Sequence, residues 1–159
     1  MSALRPANPF CWRGKKVVLT GIMAEPDGLL EVFKQNGFPV VADDLAQESR
    51  QFRHDAPSGK SPLYRLAKWW QDLDGCSLAT DPAKPRGQML IDLANEHEAD
   101  GVVICTMKFC DPEEFDYPIY YPQLQQAGIP NVTIEVDLEL TSFEQVGTRL
   151  ETFAELLAA

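Results

Sequence analysis

The chain has 159 residues, 45% apolar and 24% charged, a balance that suits one soluble domain with a core of its own. Its formal charge of -10, from 24 acidic against 14 basic residues, argues against nucleic acid or an anionic membrane as the main partner, because both need clustered Lys and Arg. No apolar run approaches the ~20 residues needed to cross a bilayer, and Met1-Ser2-Ala3-Leu4-Arg5-Pro6 lacks the apolar heart of a secretory signal, so a cytoplasmic location is expected.

Taken in chain order, residues 1–14 read as an N-terminal extension and residues 15–159 as an α/β domain. Residues 15–21 (KKVVLTG) predict a short buried strand, and 28–36 (GLLEVFKQN) a helix that Gly37 stops. A second strand, 38–44, finishes in the pair Asp43-Asp44. Residues 45–60 are polar and turn-rich, which leaves room for a loop or short helical turns. Ser61-Pro62 opens a helix through Leu63, Leu66, Trp69, Trp70 and Leu73, since Ser before Pro suits a helix start.

After a connector over 74–85, a helix is expected over 86–98, then a strand over 101–106 and a cysteine-bearing loop. The next helix is expected to begin at Tyr117-Pro118 and end at Gly128. Residues 131–136 (NVTIEV) alternate like a fourth strand, and 143–157 form a last helix in which Ser142 and Gln145 have capping-box spacing. Strands separated by helices predict a three-layer Rossmann-like or flavodoxin-like fold with a four-stranded, mainly parallel sheet. If the strand order is 2-1-3-4, Gly21 and Cys110 both face the crevice where the winding reverses.

The candidate chemistry is sparse. Cys11, Cys76, Cys105 and Cys110 form no CxxC pair, which excludes a zinc knuckle or a thioredoxin motif. Cys105 lies inside an apolar run and is expected to pack in the core; Cys76, after Gly75, reads as a packed or idle thiol. Cys110 stands where the third strand would give way to its loop, and spacing alone leaves it open between function and structure. Asp43-Asp44, Thr106 and Lys108 suggest a phospho-accepting receiver, but the acidic pair follows the second strand instead of the first, so cap or loop roles are expected for it. Arg50 and Arg53 are expected to be solvated or paired with surface carboxylates. No phosphate-binding glycine loop or GxSxG elbow is present, His97 reads as an exposed helix residue, and a Cys110 and His54 nucleophile pair has no supporting pattern.

The run from Ala99 to Ile104 through Met107-Lys108-Phe109-Cys110-Asp111-Pro112-Glu113-Glu114 and on to Pro118, with Ala127-Gly128-Ile129-Pro130 and Thr148-Arg149-Leu150-Glu151-Thr152-Phe153, resembles the C-terminal domain of the 2-hydroxyacyl-CoA dehydratase and benzoyl-CoA reductase subunit family. Val40-Val41-Ala42-Asp43-Asp44, the Arg50 to Arg53 patch and Gly75-Cys76-Ser77 fit the same pattern, the last two leaning toward the reductase side. The resemblance implies a four-iron four-sulfur cluster held by three cysteines, to which Cys110 gives one, and an electron delivered by a separate ATP-hydrolysing iron-sulfur activator. It also implies an acyl-CoA substrate, with the remaining ligands on preceding domains or a partner subunit, so that this chain alone would carry neither cluster nor activity. A non-catalytic binding or subunit-assembly module with the same fold is the alternative.

Overall fold

The computed structural model describes residues 13–24, 28–59, 61–79 and 81–158; Cys11 and most of the expected N-terminal extension lie outside them. Four strands, β1 (Val17–Gly21), β2 (Val40–Leu45), β3 (Gly101–Met107) and β4 (Asn131–Val136), form one parallel sheet in the order β2-β1-β3-β4. All five residues of β1 are buried, as expected for a central strand covered on both faces.

Alternation along the strands divides the core in two. Val17, Leu19, Val103, Cys105, Ile134 and Val136 point to one side, where they meet Leu29 and Phe33 of α1 (Leu29–Gln35) and Val146, Leu150 and Phe153 of α5 (Glu144–Leu156). Val18, Val102 and Ile104 point to the other, against Leu90 and Ala94 of α3 (Arg86–Glu96) and Tyr120 and Leu124 of α4 (Asp111–Gln126). The expected three-layer α/β fold is present, and the strand order, which the sequence left open, meets the condition 2-1-3-4. Winding reverses between β1 and β3, which opens a crevice at their carboxyl ends.

Three local expectations need correction. The fourth of these helices starts at Asp111, not at Tyr117-Pro118, and carries Pro118 and Pro122 in its interior. Pro112 fills the first turn, where no N–H is needed, and Asp111, Glu113 and Glu114 complement the positive helix end. Each interior proline costs about 3 kcal/mol in an isolated helix, so the buried face of Glu113, Asp116, Tyr120 and Leu124 must outweigh that cost. Ser142 does not cap α5: Phe143 occupies the N-cap position without a side-chain hydrogen bond, and its ring packs on the α1 and α5 core. The helix expected over 86–98 ends at Glu96, with His97 as its exposed cap.

The polar stretch after β2 contains a single 3-10 turn, Ser49–Phe52. Beyond it, α2 (Pro62–Gln71) begins as expected, with Ser61 Oγ accepting from the Tyr64 N–H at 3.2 Å. None of its residues is buried, so Leu63, Leu66 and Trp70 form an apolar stripe open to solvent. No helix among the described residues is long and apolar enough to cross a membrane.

Candidate functional site

The carboxyl end of β3 leads into the first turn of α4 through a link of three residues, Lys108, Phe109 and Cys110. Lys108 N–H donates to the Val136 carbonyl at 3.0 Å, which ties the link to β4, and Cys110 N–H donates back to Met107 O at 3.2 Å. Phe109 between them takes a left-handed φ of 63° and is 90% exposed. A non-glycine residue held in that region costs on the order of 1–3 kcal/mol, and such outliers gather at functional sites.

Cys110 is the N-cap residue of α4: its carbonyl accepts from Glu114 N–H at 3.0 Å, and its half-buried thiol is free. The unshared N–H groups of the first turn put partial positive charge beside the sulfur. Cys76 and Cys105 are buried. Among the described cysteines, then, Cys110 alone keeps its sulfur within reach of a ligand. Cys105 donates to the Met23 carbonyl at 3.4 Å, and burial, with Glu113 nearby, pushes its thiol up to about 12.

Beneath this turn lies a charged network that is closed to solvent. Asp44, at the end of β2 and 2% exposed, stands opposite Thr20 of β1 and accepts from its hydroxyl at 2.8 Å. The same carboxylate accepts from Arg50 Nε at 3.1 Å and Nη2 at 3.0 Å, from Arg86 Nε at 3.2 Å and from Arg53 Nη2. Burial alone would raise the Asp44 carboxyl, but Arg50, Arg86 and Arg53 overrule it and hold it at about 2.

Arg86 continues the network toward α4. Its Nη2 donates to Thr20 Oγ1 at 2.9 Å and its Nη1 to Glu113 Oε1 at 2.6 Å, while the guanidinium lies 4.8 Å from the centre of the Tyr120 ring. Burial disfavours its charge, yet Asp44 and Glu113 hold the guanidinium above its ordinary value. Glu113 is fully buried; its Oε1 also accepts from Ser77 Oγ at 2.5 Å and faces Arg50 Nη1 at 3.6 Å, and its Oε2 has no hydrogen-bond partner among the described residues. Arg50 closes the ring by donating to the carbonyls of Gly21 at 3.0 Å and Asp44 at 2.9 Å, and its Nη1 lies 3.8 Å from Cys76 Sγ.

Several sequence expectations meet this geometry directly. Asp43 does serve as a turn cap, its Oδ1 accepting from the N–H groups of Leu45 and Ser49 at 3.1 Å. Asp44 does not: alternation in β2 turns it to the opposite face, into the network. Arg50 is buried instead of solvated, because Asp44 and two backbone carbonyls satisfy its guanidinium; Arg53, at the network's rim, pairs with that same buried carboxylate instead of a surface one. Thr106 donates to the Ile134 carbonyl and Lys108 lies near Glu135 and Asp137, so neither joins a carboxylate pair at a phosphorylation site. Arg86, Thr20 and Glu113 were not singled out by motif. For Glu113 the signal is helical spacing: extending the buried Tyr120 and Leu124 face of α4 backward reaches Asp116 and Glu113. No group of three His, Cys, Asp or Glu side chains that could hold a metal ion occurs among the described residues.

A family model described as 2-hydroxyglutaryl-CoA dehydratase, D-component, matches residues 5–157. The chain is 53% identical over 153 residues to lactoyl-CoA dehydratase subunit beta of Anaerotignum propionicum, covering 96% of this chain and 40% of that protein. It is 40% identical over 157 residues to the (R)-phenyllactyl-CoA dehydratase beta subunit of Clostridium sporogenes, covering 99% and 42%. A benzoyl-CoA reductase subunit of Thauera aromatica is 19% identical over 144 residues, covering 88% and 37%. The chain therefore spans about two fifths of the length of the curated relatives it matches. With the family model matching nearly end to end, the chain belongs to the 2-hydroxyglutaryl-CoA dehydratase D-component family.

Proposed function

We propose that this chain is the C-terminal α/β domain of a 2-hydroxyacyl-CoA dehydratase subunit and gives Cys110 as one ligand to a four-iron four-sulfur cluster. The observation that carries the reading is the Cys110 sulfur, reachable at the N-cap of α4 and at the carboxyl end of β3, while the thiols of Cys76 and Cys105 are buried. Thiolates are the usual ligands of such clusters. One reachable thiol fits one corner of a cluster, so the remaining ligands belong to other parts of the subunit or to a partner. Higher identity to two dehydratases than to the reductase supports the dehydratase side, against the lean drawn from residues 50–53 and 75–77.

Cys110 would hold one corner of such a cluster, whose chemistry there would be low-potential electron transfer to an acyl-CoA thioester, with electrons from an ATP-dependent iron-sulfur activator. What this chain contributes is placement. The three-residue link and its ties to β3 and β4 hold Cys110 at the carboxyl end of β3, and the buried network anchors the turn on which it sits.

Anaerobic loading of the full-length subunit with iron and sulfide tests the reading. Cys110→Ala is expected to abolish or severely reduce the cluster spectrum; unchanged iron content would reject the role given to Cys110. Unchanged iron is the outcome expected of the alternative, a binding or assembly module, which the solvent-facing stripe of Leu63, Leu66 and Trp70 favours.

A further inference from the structure

We propose that the buried arginine network is a fixed charge that raises the reduction potential of the metal group at Cys110, with Glu113 and Arg86 as positioning residues. The inference rests on the reading of Cys110 given above. It concerns side chains that do not touch the metal group.

The network is unequal in charge. Arg50, Arg53 and Arg86 meet the carboxylates of Asp44 and Glu113, which leaves one positive charge in excess. Guanidinium groups do not give up their proton in proteins, so the excess is permanent. A brace built for stability alone would be neutral, because an unbalanced buried charge is costly. It would also use both oxygens of Glu113, whereas Arg86 and Ser77 share Oε1 and, among the described residues, Oε2 has no hydrogen bond.

Location makes the charge effective. Cys110 is the N-cap and Glu113 the third residue of the same first turn, positions close enough to exchange hydrogen bonds in a capping box, and Arg86 and Arg50 face the Glu113 carboxylate. Buried charge is screened far less by salt and water than surface charge. Asp111 and Glu114 on the same turn are exposed and act through solvent. Reduction adds one electron from a low-potential donor to the metal group; no bond breaks and no proton is required. The product is more negative, so a nearby fixed positive charge stabilises it and lifts the potential.

The test is a redox titration of the iron-loaded, full-length subunit, read by electron paramagnetic resonance, with iron content measured in parallel. Glu113→Gln removes a negative charge and is expected to raise the midpoint. Arg86→Gln removes a positive one and is expected to lower it, each by about tenfold in the one-electron equilibrium, or about 59 mV. Arg53→Gln, at the half-exposed rim, should shift the midpoint the same way as Arg86→Gln by a smaller amount, and it keeps the sign test available if the Arg86 variant does not fold.

Iron retained with shifts of one sign throughout, or with none, overturns the inference while leaving Cys110 as ligand. Iron lost in all three variants also overturns it and reduces the network to a structural brace. Iron retained in Cys110→Ala overturns the reading of Cys110 and this inference with it.

Discussion

Glu113 and Cys110 share the first turn of α4, the carboxylate fully buried at the third helical position and the free cysteine half-buried at the N-cap. These two positions neighbour each other in a helix start, so an anchor at Glu113 bears directly on the turn that carries Cys110. Removing the anchor should therefore be expensive. Glu113→Ala leaves Arg86 facing one buried carboxylate in place of two and strips Ser77 of its acceptor. The expected loss is about 3–5 kcal/mol, the usual cost of breaking a buried ion pair. Urea unfolding measures it, and a loss below about 1 kcal/mol would show that the network does not hold the turn.

Asp44 sets the acid limit of the fold. Its ordinary carboxyl value of 3.8 falls to about 2 in the folded chain, so the folded state binds this proton less readily than the unfolded one. The resulting stabilisation is present above pH 3.8 and disappears as the pH falls toward about 2. Urea midpoints taken from pH 5 downward should drop through that interval. Asp44→Asn should be less stable at neutral pH and should lose less on acidification; an acid slope identical to that of the parent would remove Asp44 from the account.

The described thiols should differ sharply in reactivity. Thiolates, not thiols, attack alkylating reagents, and burial pushes Cys105 up to about 12 while Cys76 is covered. Brief iodoacetamide treatment of the native chain, followed by peptide mass analysis, is expected to label Cys110 well before Cys76 or Cys105. Cys110→Ser should change stability by no more than about 0.5 kcal/mol, as for a surface substitution. Early labelling of Cys105 would contradict the packing between β3 and the α1 and α5 layer.

The strands were legible because burial on both faces writes continuous apolar runs such as Val17-Val18-Leu19 and Val102-Val103-Ile104, whereas their order was not, since such runs do not say which strands are neighbours. The start of α4 was not, since Pro112 and Pro118 both satisfy the rule for a helix-opening proline and local chemistry cannot rank them. What ranks them is tertiary: Glu113 and Asp116 find buried or half-buried cationic partners in Arg86 and Lys84, on a different helix and in the connector before it. The burial of Arg50 was hidden for the same reason. An arginine in a polar loop reads as solvated until Asp44 and the Gly21 carbonyl, from two different strands, are brought around it. The place of Cys110 just past β3 was legible because its signal is local, a strand end followed by a short link.

Two glycines should respond very differently to alanine. At Gly37, which follows α1 with φ 72°, an added Cβ meets nothing within 4 Å. Gly37→Ala should therefore cost only the left-handed backbone term, about 1–2 kcal/mol. At Gly21 the added atom would lie 2.2 Å from the Cys105 carbonyl oxygen, with φ 153°. That oxygen belongs to the neighbouring strand and cannot rotate away, so β1 and β3 must separate at their carboxyl ends. The Gly21 carbonyl would move with them and weaken its 3.0 Å hydrogen bond from Arg50. Gly21→Ala is expected to lose about 3 kcal/mol or more in urea unfolding, and to loosen the network as well as the strands. Amide hydrogen exchange separates the two glycines: faster exchange at Thr20, Gly21 and Thr106 is expected in the Gly21 variant and not in the Gly37 variant. Equal exchange in both would show that the close approach of β1 to β3 does not control the crevice.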